Sequence, residues 1–197
     1  MIRASSVLMV LGAAALVAAC GTSPNPGYYR LSPTATERGD AGTSYTVALD
    51  AVTVPESVDR PQMVLYLTDN SVDIREFQRW SEPLKSNLGG VVADNLAREL
   101  GQKLVVAYPA SANLEKPDYR VRIDVTRFES RRGGSVTLDA LWTVQGAAGG
   151  RRVSGRTTAV ETAGEGFDGL VAAHSRAAGR LSADIAAAIR SLPPAAR

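Results

Sequence analysis

The chain of 197 residues holds one cysteine and one histidine. A lone cysteine has no partner within the chain for a disulfide. One histidine and one cysteine leave no cluster of the kind that builds a zinc site. No HExxH and no GxxxxGK[ST] phosphate loop occurs. A nucleophilic hydrolase needs a base within hydrogen-bond reach of its nucleophile. Only His174 is on offer, and it falls on the apolar stripe of a C-terminal helix, the place of a satisfied core or interface histidine. "GGSVTLDALW" superficially suggests a nucleophile elbow but lacks the G-x-S-x-G spacing. Carboxylates are present, yet none is paired by spacing. No catalytic residue, metal ligand or soluble cofactor is expected. An excess of one charge is missing too. The 22 Lys and Arg against 20 Asp and Glu give a formal +2, which supplies no argument for nucleic-acid binding. Beyond residue 19 no apolar run is long enough to cross a bilayer.

What is present begins at the N-terminus. Arg3 gives a short positive region, and "VLMVLGAAALVAA" (residues 7–19) is an apolar stretch ending in small residues. That is the pattern of a secretory signal, too short and wrongly flanked for a membrane span, so residues 1–19 are set apart from the fold. The stretch stops at "LVAAC", residues 16–20, which matches a bacterial lipobox. There the sulfur receives a diacylglyceryl group and cleavage falls just before it. Cys20 is the expected lipidation site, with covalent diacylglycerol and an N-acyl chain. At about 0.8 kcal/mol per buried CH₂, two or three chains hold a protein on a membrane in effect permanently. Gly21, not aspartate, follows. In enterobacterial-type sorting that favours the outer membrane, with the domain on its periplasmic face. Removal of residues 1–19 takes Arg3 with it and lowers the formal charge from +2 to +1.

Residues 20–44 are rich in Gly, Ser, Thr and Pro and read as a lipidated flexible tether. "YYRL" (residues 28–31) interrupts it as a short edge segment pinned to the domain. Residues 45–194 form one periplasmic domain, enough chain for a single core. A first strand is expected over 45–54, with Tyr45, Val47, Leu49 and Ala51 on one face. Residues 63–67 and 72–77 flank the turn signal "TDNS" as a hairpin. Leu84, Leu88, Val91, Val92, Leu96 and Leu100 then fall on one helical stripe, with Ser81 as N-cap and Gly101 as stop. Gly89 and Gly90 would permit close packing on a sheet. Residues 103–109 read as a short buried strand. Residues 118–126, 136–144 and 151–161 alternate apolar and polar side chains across Gly-rich turns, an antiparallel meander with one wet face. A long helix follows over 167–192, ended by Pro193 and Pro194. The order β-β-β-α-β-β-β-β-α implies an α+β fold. It combines an antiparallel-rich sheet, a three-stranded C-terminal meander and two helices packed on one face.

Two features stand out as candidate surfaces. Arg120, Arg122, Arg152 and Arg156 lie on the wet face of the meander, with Arg131 and Arg132 in one turn. They make either a solvated face or a contact for lipid phosphates or an acidic partner. The connection "PESVDRP" (residues 55–61) is bounded by prolines. Pro61 biases Arg60 toward an extended conformation, and Pro55 fixes its own φ. Two roles fit. Asp59 or Arg60 pins the loop near Trp80 and Glu82, or the loop contacts a partner.

Taken in order, the lipobox at Cys20, "YYRL", "VPESVDRPQMV" (54–64), "RWSEPL" (79–84), "YRVRIDVTRFE" (119–129) and "LDALWTV" (138–144) resemble the PqiC family of ABC-type transport auxiliary lipoproteins. The specific part is the proline-bounded "DRPQ", residues Asp59, Arg60, Pro61 and Gln62, followed by Arg79, Trp80 and Glu82 of "RWSEPL". Val58 stands where the family commonly has leucine, and Ser81 where it has alanine. The resemblance implies a non-enzymatic subunit of an envelope-spanning lipid transport system. Its partners would be the membrane, through the lipid anchor, and a periplasmic Mce-domain protein whose tunnel it docks. A homo-oligomer also fits this family. Two other classes stay open: a lipoprotein regulator of an envelope enzyme such as a peptidoglycan synthase, and a lipid-carrier lipoprotein with an apolar cavity.

Overall fold

The computed structural model describes residues 24–37, 45–102, 104–147 and 150–192. The expected signal segment 1–19, Cys20, Lys103, Pro193 and Pro194 lie outside these. Strands β6 (Tyr119–Arg131), β7 (Ser135–Gly146) and β8 (Arg152–Thr162) form the expected antiparallel meander. Its alternation is the cause: Tyr119, Val121, Ile123 and Val125 are buried, as are Val136, Leu138, Ala140, Trp142 and Val144. One irregularity was not legible. Between Val125 and Arg127 the β6–β7 register slips, leaving Thr126 as an extra residue. This bulge turns Phe128 and Ser130 inward, where unbroken alternation would send Arg127 into the core.

The other edge of β6 is shared. Strand β2 (Val47–Leu49) pairs in parallel with residues 119–121, and β3 (Gln62–Thr68) pairs in parallel with Ser130 and Arg131. Beyond β3 come its hairpin partner β4 (Ser71–Trp80) and then β1 (Gly27–Tyr29), parallel to β4. Beyond β2 lies β5 (Val105–Val106). The result, among the described residues, is one mixed, mostly antiparallel sheet of eight strands.

The expected strand over 45–54 is corrected to three residues. Val47, Ala48 and Leu49 are all fully buried, and Ala51 is exposed. A short central parallel strand buries both faces, so it carries no alternation to read. The expected buried strand over 103–109 shrinks to the half-buried sheet edge β5, beside an exposed Leu104.

Helix α1 (Leu84–Leu100) buries the expected stripe and ends at Gly101, whose φ of 60° is left-handed. Its N-cap is Pro83, with no side-chain cap bond, so the expected Ser81 cap is corrected. Gly89 faces Val52 at ordinary contact distance, and a Cβ at Gly90 would meet nothing; neither is required by close packing. Helix α2 (Gly166–Ser191) packs beside α1 on the same face of the sheet. The two helices run parallel. Asn87 and Ser175 both meet the chain at residues 31–32 near one end, and Arg190 reaches Glu99 near the other.

Residues 24–37 are not the flexible tether that their composition suggests. Leu31 is completely buried, and its N–H donates to Asn87 Oδ1 at 2.7 Å. The amides of Thr34 and Ala35 both donate to Asn95 Oδ1, at 2.8 and 2.9 Å. Gly179 on α2 leaves room for the crossing: a Cβ there would stand 2.3 Å from Thr34 Oγ1. Polar, Pro-rich composition reports a lack of regular structure. It does not report a lack of contacts, because side-chain acceptors from the helices satisfy these amides.

Candidate docking surfaces

The single histidine lies deep in the core. His174 stacks on Phe128, with centroids 3.9 Å apart and planes at 7°, and its Nε2 is 2.8 Å from Ser130 Oγ. Burial pushes its pKa down to about 3, so the ring is neutral at physiological pH. Nδ1 is buried without a partner. A bare acceptor nitrogen is less costly to bury than an orphaned N–H. Nε2 therefore carries the proton and donates to Ser130. The pair has the spacing of a nucleophile and its base, but both groups are buried and no acid orients the ring. Among the described residues no three His, Cys, Asp or Glu side chains converge as a metal site.

The proline-bounded loop is anchored from several directions. Pro55 O accepts from the amides of Val58 and Asp59, at 3.0 and 3.1 Å. Val58 is buried beneath the loop. Asp59 pairs with Lys85 in the first turn of α1 at 3.1 Å, and Pro61 O accepts from Trp80 N–H at 2.8 Å. Gln62 donates to Glu76 at 3.3 Å, and Arg79 approaches the same carboxylate at 3.9 Å. Trp80 packs edge-on against Phe128, with centroids 6.1 Å apart. Glu82 turns away from the loop and accepts from Asn87 Nδ2 at 2.9 Å. The Arg60 amide donates to Val58 O, while its exposed side chain has no ion pair or hydrogen bond among the described residues. Asp59, Pro61 and Trp80 are thus brought together, and Arg60 and Glu82 are not. Lys85 was missed by sequence reasoning, although its place one turn into an expected helix was a usable signal.

The arginines of the meander are mostly answered by acids. Arg120 and Arg122 share Asp50, at 2.7 and 3.3 Å. Arg131 lies between Asp69 at 2.9 Å and Glu129 at 3.3 Å. Arg156 grips Asp139 side-on through Nε and Nη2, with Nε 2.7 Å from Oδ1. That hydrogen bond holds the Asp139 carboxyl below the usual carboxylate range. Arg127, followed by Arg131, does the same for Glu129. Arg152 donates to Gln145 at 2.9 Å. Arg132 alone of the six has no side-chain partner among the described residues. The sequence shows a row of cations because Asp50 and Asp69 arrive from elements about sixty to seventy residues away.

Two surface grooves flank the start of α2. One, of about 490 Å³, is lined by Tyr28, Arg30, Ser32, Asp168 and Arg176. The other, of about 500 Å³, is lined by Leu65, Arg132, Gly134, Glu165, Phe167 and Leu170. Tyr29 and Phe167 close the space between them, with centroids 5.9 Å apart, and Arg75 lies over the Phe167 ring at 5.5 Å.

The fold has known relatives. The crystal structure of an uncharacterized protein superposes with a TM-score of 0.69 at 23% identity, covering 84% of this chain and 99% of that one. A protein of Xanthomonas campestris in the family DUF330 superposes at 0.66 with 17% identity, covering 81% and 92%. At such identities these likenesses speak for the fold. No curated protein matches by sequence. The family described as "ABC-type transport auxiliary lipoprotein component" matches residues 29–186, from β1 into the last turns of α2, and the chain belongs to that family.

Proposed function

We propose that this protein is a non-enzymatic, lipid-anchored subunit of an envelope-spanning lipid transport system of the Mce/Pqi type. The acyl chains on Cys20 hold it at the periplasmic face of the outer membrane. Its domain docks the tip of a periplasmic Mce-domain tunnel and supports membrane integrity, as part of a homo-oligomer. The observation that carries this reading is the family match over residues 29–186. Gly21 after the lipobox cysteine favours the outer membrane. The proline-bounded loop suits docking. Its backbone is held at both ends while Arg60 projects unpaired, so a partner carboxylate would meet a pre-positioned guanidinium.

Crosslinking in intact cells followed by affinity capture tests the reading. Recovery of an Mce-domain protein, lost in Arg60→Glu, is the expected result. Recovery of peptidoglycan synthases alone overturns it in favour of a regulator of an envelope enzyme.

A further inference from the structure

We infer that the end of the domain holding Tyr28, Arg30 and Arg132 lies against the membrane, where its two grooves meet zwitterionic phospholipid headgroups. This rests on the proposed lipidation of Cys20 and goes beyond it by naming the face.

Reach selects the end. Six residues, 21–26, separate Cys20 from Gly27, where β1 begins, making seven Cα–Cα steps. Fully extended, they span about 25 Å. The 26 residues of α2 make a rod about 39 Å long, and β1 lies beside its N-terminal end through the Tyr29–Phe167 contact. With the opposite end on the membrane, Gly27 would stand beyond the reach of its own anchor.

Charge selects the partner. Each groove holds one arginine and one carboxylate that are unpaired among the described residues: Arg30 with Asp168, and Arg132 with Glu165. The other arginines there are occupied, Arg176 by Glu161 and Arg131 by Asp69 and Glu129. A cation beside an anion is the complement of a phosphate beside an ammonium, the headgroup of phosphatidylethanolamine. Tyr28, an aromatic 63% exposed at this end, suits the headgroup region.

The test uses the full lipidated chain in vesicles of phosphatidylethanolamine with brominated acyl chains. Tyr28→Trp places a reporter at the proposed face. Tyr108→Trp places one at another exposed site, two residues past β5, which pairs with β2 beside the opposite end of β6 from Arg131. Trp80 and Trp142 are buried and common to both. The reporter at 28 loses most of its added emission and the reporter at 108 keeps it. Equal quenching of the two, or stronger quenching at 108, overturns the inference. Hydrogen exchange on the unsubstituted chain covers a failure of either variant to fold. Amides of residues 27–30 and 131–134 slow on transfer from detergent to vesicles, and this slowing is lost in Arg30→Ala/Arg132→Ala. Unchanged exchange at both segments also overturns it. The mass of the N-terminal peptide separates the two readings. A peptide without acyl mass refutes the anchor and this inference with it, whereas an acylated chain with an unquenched position 28 refutes only the face.

Discussion

Replacement of Asn95 by alanine should loosen the N-terminal segment and weaken the whole domain. Asn95 is completely buried on α1, and its Oδ1 accepts two backbone amides, those of Thr34 and Ala35. Alanine supplies no acceptor. Leaving a buried donor unsatisfied costs about 1–3 kcal/mol. Both amides belong to partly exposed residues, so water recovers some of that loss, and about 2 kcal/mol for the pair is the expected sum. Asn95 Nδ2 has no partner in the native state, so its removal relieves part of the polar burden and sets the lower side of the range. In a chain of this size about 2 kcal/mol lowers Tm by roughly 4–8 °C. Urea denaturation measures the global loss. Hydrogen exchange at Thr34 and Ala35 separates it from local lifting, because these two amides should exchange faster than that of Leu31, which Asn87 still holds. A loss below about 0.5 kcal/mol, the level of an ordinary surface substitution, with unchanged exchange at both amides would refute the reasoning.

Four further outcomes are expected. His174 has its pKa lowered to about 3 by burial, against about 6.5 unfolded. Its contribution is fully present above the unfolded value and is lost as pH falls toward the folded one. Between pH 6 and 4.5 stability should drop by about 2 kcal/mol, and His174→Gln should flatten that slope in denaturation curves. Thr157 accepts from Trp142 Nε1 and donates to Asp184 on α2. Thr157→Val leaves the indole N–H bare and should cost about 1–3 kcal/mol by urea titration. Arg60→Ala removes no side-chain hydrogen bond or ion pair among the described residues, so Tm should stay unchanged while capture of the proposed transport partner falls; a drop in Tm would instead assign Arg60 a structural role. Arg156→Gln should raise the pKa of Asp139 toward the ordinary carboxylate value, as followed by carboxyl-carbon NMR.

The meander and both helices are legible because each has one wet and one dry side, so period alone places Val121, Leu138, Leu96 and Ile185 in the core. Legibility fails where burial is two-sided or non-local. Val47 to Leu49 are dry on both faces and show no alternation. The bulge after Val125 depends on what faces it in β7, not on its own residue types. The candidate surfaces fail for a related reason. Arg131 reads as a free cation until folding brings Asp69 beside it, and Glu82 reads as a loop anchor until Asn87 takes it. The proposed lipidation of Cys20 needs no fold to be read, since it rests on residues 16–20 alone.

The packing of residues 27–37 against both helices also constrains the order in which the molecule is made. Leu31 is held by α1, Ser32 by α2 and Thr34 by both, and α2 is the last element among the described residues. The partners of Thr34 in the two helices stand 61 and 141 residues away along the sequence. Contacts this distant close slowly, and a chain made from its N-terminus must wait for them. The first part of the domain to emerge is therefore the last that can be locked down. Until both helices are in place, Leu31 lacks the packing that buries it completely in the finished domain.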